Sequence, residues 1–253
     1  MKMITLKSLL AALVISMAAA PQAFAAGASV PLLDAKVDLS DKLSMARGAK
    51  YFANYCMGCH SLKFSRYNRV AADLGLDEKA MQAIIFTRDD DGEMSKTGDL
   101  MENAIPVKDS ARWFGAPPPD LSLVARSRPG GDWIYSFLRG FYKDESRPMG
   151  FNNTVFKNVG MPFVLSDLQG IQTMEEVDDG KGHKSQVLTL AEKGSMSEAD
   201  YDQVARDLTN FLVYVGEPAQ LSRTFYGIFT MLFLLVFFVV AYLLKKEFWK
   251  DIH

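Results

Sequence analysis

The sequence predicts a mainly α-helical domain with long loops, followed by a single transmembrane helix near the C-terminus. An amphipathic stripe at helical spacing runs through residues 201–215. No sustained strand pattern appears outside possible short pieces around residues 154–165 and 186–190. Residues 225–244 carry no charge, and about 20 apolar residues are enough to span the hydrocarbon core of a bilayer.

The first 25 residues are typical of a secretory signal peptide. Lys2 and Lys7 form a basic start, residues 9–20 are apolar, and Ala23-Phe24-Ala25 resembles a small-x-small cleavage site. The apolar run is shorter than a membrane span, which makes an uncleaved N-terminal anchor the less favoured alternative. We therefore expect residues 1–25 to be removed and the mature chain to begin near Ala26.

The apolar segment near the C-terminus is predicted to be a membrane anchor over residues 223–246. Arg223 precedes it, whereas Lys245, Lys246 and Lys250 follow it. Because basic residues favour the cytoplasmic side, this bias places the tail, residues 247–253, in the cytoplasm. Residues 26–222 would then be the exported domain. A buried core helix is the alternative, and it would not explain the flanking lysines.

The exported domain is acidic. Residues outside 26–222 account for six of the 28 basic and two of the 30 acidic residues, which leaves 22 basic and 28 acidic residues and a net charge of −6. This balance disfavours nucleic acid and anionic lipid surfaces as partners, and it would allow a basic protein to be steered toward the domain.

The chain has only two cysteines, Cys56 and Cys59, in the run C-M-G-C-H that ends at His60. A thioredoxin-like motif would need a βαβ context and not the following histidine. A zinc site would need a second ligand pair, and the other histidines, His183 and His253, lie far away with no cysteine near them. C-x-x-C-H is the signature of covalent c-type haem attachment. We therefore predict a c-type cytochrome domain with one haem.

The chemistry of attachment explains the spacing of the motif. Each thiol adds to one vinyl group of the haem, and His60 is then placed beneath the iron. Residues 43–55, just upstream, show helical spacing with Ser40 as a possible N-cap. Gly48 inside this helix indicates either close packing against another helix or a glycine that is merely tolerated.

A haem that carries electrons needs a second axial ligand, and methionine is a neutral sulfur donor that raises the reduction potential. His183 is a poor candidate because it lies in a glycine-rich, charged stretch. Met161 is favoured because Gly160 and Pro162 flank it, so that the backbone can approach closely and the loop is stiff. Met149, between proline and glycine, is the alternative on the same argument.

Other local signals predict further short elements. Asp77 is expected to open a helix over residues 78–87, and the proline-rich stretch 116–120 should form an extended wall before a helical turn at residues 121–125. Asp132 is expected to cap a helix that runs through Tyr142, with aromatic residues on one face. Ser197 and Asp200 resemble a capping box that opens the amphipathic helix.

The order of these parts resembles the cytochrome c1 family, the haem subunit of the bc1 complex, in its bacterial form. The resemblance covers nearly the whole mature chain and includes the C-terminal anchor. The motifs that carry it are Arg47-Gly48 through C-M-G-C-H-S to Phe64 and Tyr67, A-P-P-P-D-L at 116–121, R-S-R-P-G-G at 126–131 and Gly160-Met161-Pro162.

The resemblance implies His60 and Met161 as axial ligands, Arg128 beside a haem propionate, and Pro118 in a wall at the haem edge. It also implies electron transfer from a Rieske iron-sulfur protein to a cytochrome c, cytochrome b as a neighbour, and a dimeric complex. The location implied is the bacterial inner membrane, with the haem domain in the periplasm.

Three other functions compete with electron transfer. A haem enzyme such as a peroxidase would need an open sixth position and a nearby acid or base, and the scarcity of histidine counts against it. A cytochrome subunit of a terminal oxidase commonly has an N-terminal anchor. A scaffold protein with an incidental motif is the third. We predict an electron-carrying subunit that is not an enzyme by itself.

Overall fold

The computed structural model describes residues 30–85, 87–88, 92–178 and 184–251. The predicted signal peptide, His183 and His253 lie outside them. About half of the described residues are helical, as predicted. The helices are α1 Lys42–Tyr51, α2 Tyr67–Leu74, α3 Glu78–Gln82, α4 Val107–Phe114, α5 Val124–Ser127, α6 Gly130–Arg139, α7 Ser166–Gln169, α8 Glu198–Gly216 and α9 Gln220–Phe248. The strands are β1 Leu62–Arg66, β2 Leu100–Met101, β3 Phe141–Lys143, β4 Phe151–Asn153, β5 Gly170–Asp178 and β6 Lys184–Lys193.

Helices α1 and α8 pack together at the centre of the domain. A Cβ placed on Gly48 would lie 2.0 Å from the backbone oxygen of Asp207, so only glycine allows this approach. The buried carboxylate of Asp207 accepts hydrogen bonds from Ser44 Oγ (2.7 Å) and Arg47 Nε (2.6 Å). Since a buried charge is costly unless it is paired, these contacts fix the helices in register. The close-packing interpretation of Gly48 is confirmed.

The helix caps agree in part with the prediction. Asp77 caps α3 and Ser197 caps α8, each accepting a hydrogen bond from a backbone N–H three residues later. Ser40 does not cap α1, because the carboxylate of Asp41 accepts from Ser44 N (2.9 Å) instead. Helix α3 ends at Gln82, shorter than predicted.

Helix α6 begins and ends before the predicted limits. Its N-cap is Pro129 and not Asp132, whose carboxylate accepts a hydrogen bond from Ala35 N (2.9 Å) across the fold. The helix ends at Arg139, and Phe141 belongs to strand β3. The predicted aromatic face is confirmed for Trp133 and Phe137, whose rings stack (5.1 Å between centroids), whereas Phe141 meets Phe137 edge-on (5.1 Å) from strand β3.

The strand content exceeds the prediction. Strands β5 and β6 form a long antiparallel hairpin, of which only residues 186–190 were expected, and the predicted piece at 154–165 is a loop. The register pairs Gln172 with Leu190 and Glu175 with Val187. Polar and apolar residues therefore share each face, and the regular alternation that indicates a strand is missing.

Helix α9 contains the predicted anchor. It runs from Gln220 to Phe248, and its apolar 18-residue stretch has a mean hydropathy of 2.7; at 1.5 Å per residue its 29 residues reach about 44 Å. Its apolar side chains are exposed along its length. This helix is long and apolar enough to cross a membrane.

Candidate haem site

A cavity of about 720 Å³ lies beside helix α6, within the size range of cofactor sites. Its walls come from the C-x-x-C-H segment, the proline-rich stretch, helices α6 and α8, and the loop before α7. Met149, the alternative ligand, is not among its lining residues. The lining includes every residue predicted from the sequence to belong to the site: Cys56, Cys59, His60, Pro118, Arg128 and Met161.

The C-x-x-C-H motif forms a tight turn. Helix α1 continues as a π-helical turn, Phe52–Cys56, in which Met57 N donates to Phe52 O (2.9 Å). The carbonyl of Cys56 then accepts from Cys59 N (3.0 Å) and His60 N (2.8 Å). This turn brings both thiols and the imidazole to one cavity.

His60 presents one ring nitrogen to the cavity. Its side chain is buried, and Nδ1 lies 2.7 Å from the carbonyl oxygen of Pro119. Since a carbonyl can only accept, Nδ1 carries the proton and Nε2 keeps its lone pair in the neutral ring. Burial lowers the pKa of His60, opposed by the Pro119 hydrogen bond and the Asp120 carboxylate. The neutral ring is the form that binds a metal.

The proline-rich wall is bound to the segment that follows the haem motif. Leu121 N donates to Ser61 O (2.9 Å), and the carboxylate of Asp120 accepts from Lys63 N (2.9 Å). The buried Ser122 hydroxyl accepts from Phe64 N (3.2 Å). These three hydrogen bonds hold the Pro119 carbonyl at the imidazole.

Met161 lines the cavity from the loop that follows β4. It is half-buried and packs against the core. No protein atom described lies within 4 Å of the position that a Cβ on Gly160 would take. Gly160 therefore makes no close approach to another described part of the chain beyond its neighbours, and a close approach to a bound group stays a prediction.

The guanidinium of Arg128 lies between two aromatic rings at the exposed side of the cavity. Its central carbon is 4.9 Å from the Trp133 centroid and 5.2 Å from the Phe156 centroid. Within the described part of the chain, none of the ion pairs involves Arg128. Aromatic faces can hold a cation in place while leaving its N–H donors free. The arrangement suits an external carboxylate.

Both cysteines are free thiols. Burial, with a smaller contribution from Cys59, raises the pKa of Cys56 to about 12. Among residues 30–85, 87–88, 92–178 and 184–251, no group of three His, Cys, Asp or Glu could hold a metal ion, which leaves the zinc alternative without support there. Two thiols, a neutral imidazole, a thioether and a cation around one apolar cavity fit haem c.

The residues that support the site were not predicted from the sequence. They are Asn152 and Asn153, which hold the loop leading to Met161, and Phe156, which faces Arg128. The only available signal was the pair of consecutive asparagines after Phe151, since asparagine often bonds to nearby backbone.

A mainly helical domain with a C-x-x-C-H turn on an apolar cavity, followed by a membrane-length helix, defines an anchored c-type cytochrome. A family model described as the Cytochrome C1 family matches residues 34–252. The cytochrome c1 of Allochromatium vinosum is 49% identical over 232 residues, which cover 90% of this chain and 93% of that protein. The chain therefore belongs to the cytochrome c1 family.

Two further relatives extend the comparison. A Nitrosomonas europaea protein named ammonia monooxygenase gamma subunit is 44% identical, covering 91% of this chain and 93% of that protein. The mitochondrial cytochrome c1 haem protein of Saccharomyces cerevisiae is 29% identical, covering 84% and 68% respectively. Family membership makes this chain a membrane-anchored, haem c-containing electron-transfer subunit of the bc1 complex.

Proposed function

We propose that one haem c is attached through thioether bonds to Cys56 and Cys59, and that His60 and Met161 are its axial ligands. The observation that carries the proposal is that these four side chains line one cavity, while the Pro119 carbonyl keeps Nε2 of His60 available. In each attachment the thiol would add across a vinyl double bond, so that sulfur bonds to one carbon and the thiol hydrogen to the other.

The bound haem supplies a one-electron redox couple. The protein's residues set its properties: the His60–Pro119 hydrogen bond increases the basicity of the imidazole, and the neutral sulfur of Met161 favours the reduced state. Arg128 would pair with a propionate, and Pro118 would pack against the haem edge. No substrate bond is made or broken on this chain.

Within the bc1 complex, we infer that this chain accepts one electron from the Rieske iron-sulfur protein and passes it to a cytochrome c. Cytochrome b would be its neighbour in the membrane, and the complex would be a dimer. The acidic balance of residues 26–222 supports a basic electron acceptor, because opposite charge speeds encounter.

The proposed topology places the haem domain in the periplasm and the C-terminal tail in the cytoplasm of a bacterial inner membrane. The cleavable signal over residues 1–25 and the lysines after the anchor support this orientation. A cysteine-reactive, membrane-impermeant label on a cysteine introduced at Lys250 should react only after the cells are opened.

Visible spectra of the purified protein, oxidised and reduced, with and without carbon monoxide, test the proposed function. We expect a six-coordinate His/Met spectrum with a sulfur-to-iron band in the oxidised state and no carbon monoxide binding. Ready binding of carbon monoxide to the untreated protein would instead support a haem enzyme, because it requires an open or displaceable sixth position.

A further inference from the structure

The loop that carries Met161 is held by two consecutive buried asparagines at the end of strand β4. Residues 154–160 contain no helix or strand. Asn153 is fully buried and Asn152 is 7% exposed. Buried amides are costly unless hydrogen-bonded, and these two bind the backbone of the loop, helix α6 and Asp144.

Asn153 fixes the start of the loop. Its Oδ1 accepts hydrogen bonds from Val155 N (2.9 Å) and Phe156 N (3.2 Å), and its Nδ2 donates to Phe137 O (2.8 Å) in helix α6. These bonds tie the first turn of the loop to the helix that lines the cavity. They also place the Phe156 ring against the guanidinium of Arg128.

Asn152 fixes the end of the loop. Its Oδ1 accepts from Asn158 N (2.8 Å), and its Nδ2 donates to Asp144 Oδ2 (2.8 Å). Asn158 has a φ of 60°, a left-handed conformation that asparagine adopts more readily than other residues except glycine. Its carbonyl accepts from Arg147 Nη2 (2.9 Å). Both backbone groups of a residue three positions before Met161 are therefore bound.

We propose that Asn152 and Asn153 are positioning residues that hold the loop so that Met161 and Phe156 both face the haem cavity. This inference rests on the proposed function, in which Met161 is an axial ligand. Asparagine suits both positions because each must accept and donate. Aspartate at residue 152 would lose the donor and set a second carboxylate beside Asp144.

The test compares Asn152→Leu and Asn153→Leu with wild type in the haem-loaded, full-length protein. The readouts are the sulfur-to-iron band and the affinity for added imidazole, which competes with Met161 for the iron. We expect each change to weaken the band and to tighten imidazole binding about tenfold, because a looser loop holds the sulfur less firmly.

Asn210→Leu is the matched control. Asn210 is also buried, at 6% exposed, and its amide donates to Ser44 Oγ (2.8 Å) and accepts from Asp38 N (3.1 Å), between α1 and the N-terminal segment. We expect it to lower stability without changing imidazole affinity. If the leucine variants fail to fold, Arg147→Met can be tested instead. It removes one of the two hydrogen bonds to Asn158 and should also tighten imidazole binding.

The two proposals fail in distinguishable ways. If Met161→Leu abolishes the band while the Asn152 and Asn153 variants bind imidazole as the Asn210 control does, the positioning role is wrong and the ligand assignment stands. If the band survives Met161→Leu, the ligand assignment fails, and the positioning role fails with it.

Discussion

Nδ1 of His60 lies 2.7 Å from the carbonyl oxygen of Pro119, so that residues 59 positions apart in the chain form one half of the proposed iron site. A carbonyl that accepts from Nδ1, the ring nitrogen that would not bind the iron, orients the imidazole and makes it a stronger ligand. The hydrogen bonds of Asp120 and Ser122 to the strand after the haem motif keep that carbonyl in place.

Replacing Asp120 should therefore change the reduction potential. We expect Asp120→Ala to raise it by up to about 59 mV, the equivalent of a tenfold change for a one-electron couple, because it removes a negative charge and loosens the Pro119 carbonyl. Asp120→Asn removes the charge but keeps one of the two oxygens that accept from Lys63 N and Ser122 N, so its rise should be smaller. Equal shifts in a redox titration of the two variants would show that the hydrogen bonds of the proline-rich wall do not affect the reduction potential.

Loss of Arg128 should shift the potential in the opposite direction. A cation near the haem favours electron uptake, so Arg128→Leu should lower the potential by on the order of tens of millivolts. Arg112→Leu is the control, because that side chain is exposed and pairs with Asp109 away from the cavity. The role of Arg128 is contradicted if both variants titrate at the wild-type potential.

Gly48→Ala should destabilise the domain. The new Cβ would meet the Asp207 backbone oxygen, and overpacking between two central helices typically costs about 1–3 kcal/mol. Gly98→Ala is the control, since nothing lies within 4 Å of its Cβ position, and it should change the free energy of unfolding by less than about 0.5 kcal/mol. Denaturant titration of both variants measures the difference, and equal losses would rule out the packing explanation.

Asp202 should stabilise the fold in a pH-dependent way. Burial acts to raise the pKa of its carboxyl, but hydrogen bonds from Tyr135 and Arg206, together with the charges of Arg139 and Arg206, outweigh burial and leave that pKa below its ordinary value. Because the folded-state pKa is lowered, the stabilisation is present above the ordinary value of about 4 and is lost as the pH falls through the lowered pKa.

Asp202→Asn should accordingly lower the free energy of unfolding by about 1–3 kcal/mol at pH 7. The difference from wild type should shrink at pH 3. Asp109→Asn, in an exposed pair, should show little effect at either pH. A deficit that is the same at pH 7 and pH 3 would mean that the carboxylate charge is not the cause.

Local signals were enough to predict the parts of this protein whose chemistry is contained in a short segment. The C-x-x-C-H motif, the Ser197 cap and the apolar run of the anchor each act within a few neighbouring residues or one helix, so one sequence reveals them. The segment Gly160-Met161-Pro162 could also be recognised as a candidate ligand loop, although the residue pattern alone did not exclude Met149 as the axial ligand.

The remaining features depend on contacts that local sequence patterns do not identify. Asp132 has the pattern of an N-cap, yet its carboxylate binds Ala35 N, 97 residues away. In the β5–β6 hairpin, polar and apolar residues do not alternate regularly along the strands. The period of two that predicts a strand is therefore missing. The left-handed conformation of Asn158 is held by Asn152 and Arg147, and the pair of consecutive asparagines is the only sign of this contact in the sequence.

The sulfur-to-iron band of the oxidised protein tests the central claim most directly, in Met161→Leu and, separately, in Met149→Leu. Met161 lines the cavity that also receives Cys56, Cys59 and His60, and Met149 does not. We predict that the band is lost in Met161→Leu and retained in Met149→Leu. A band that survives the change at Met161 would contradict the proposed iron site.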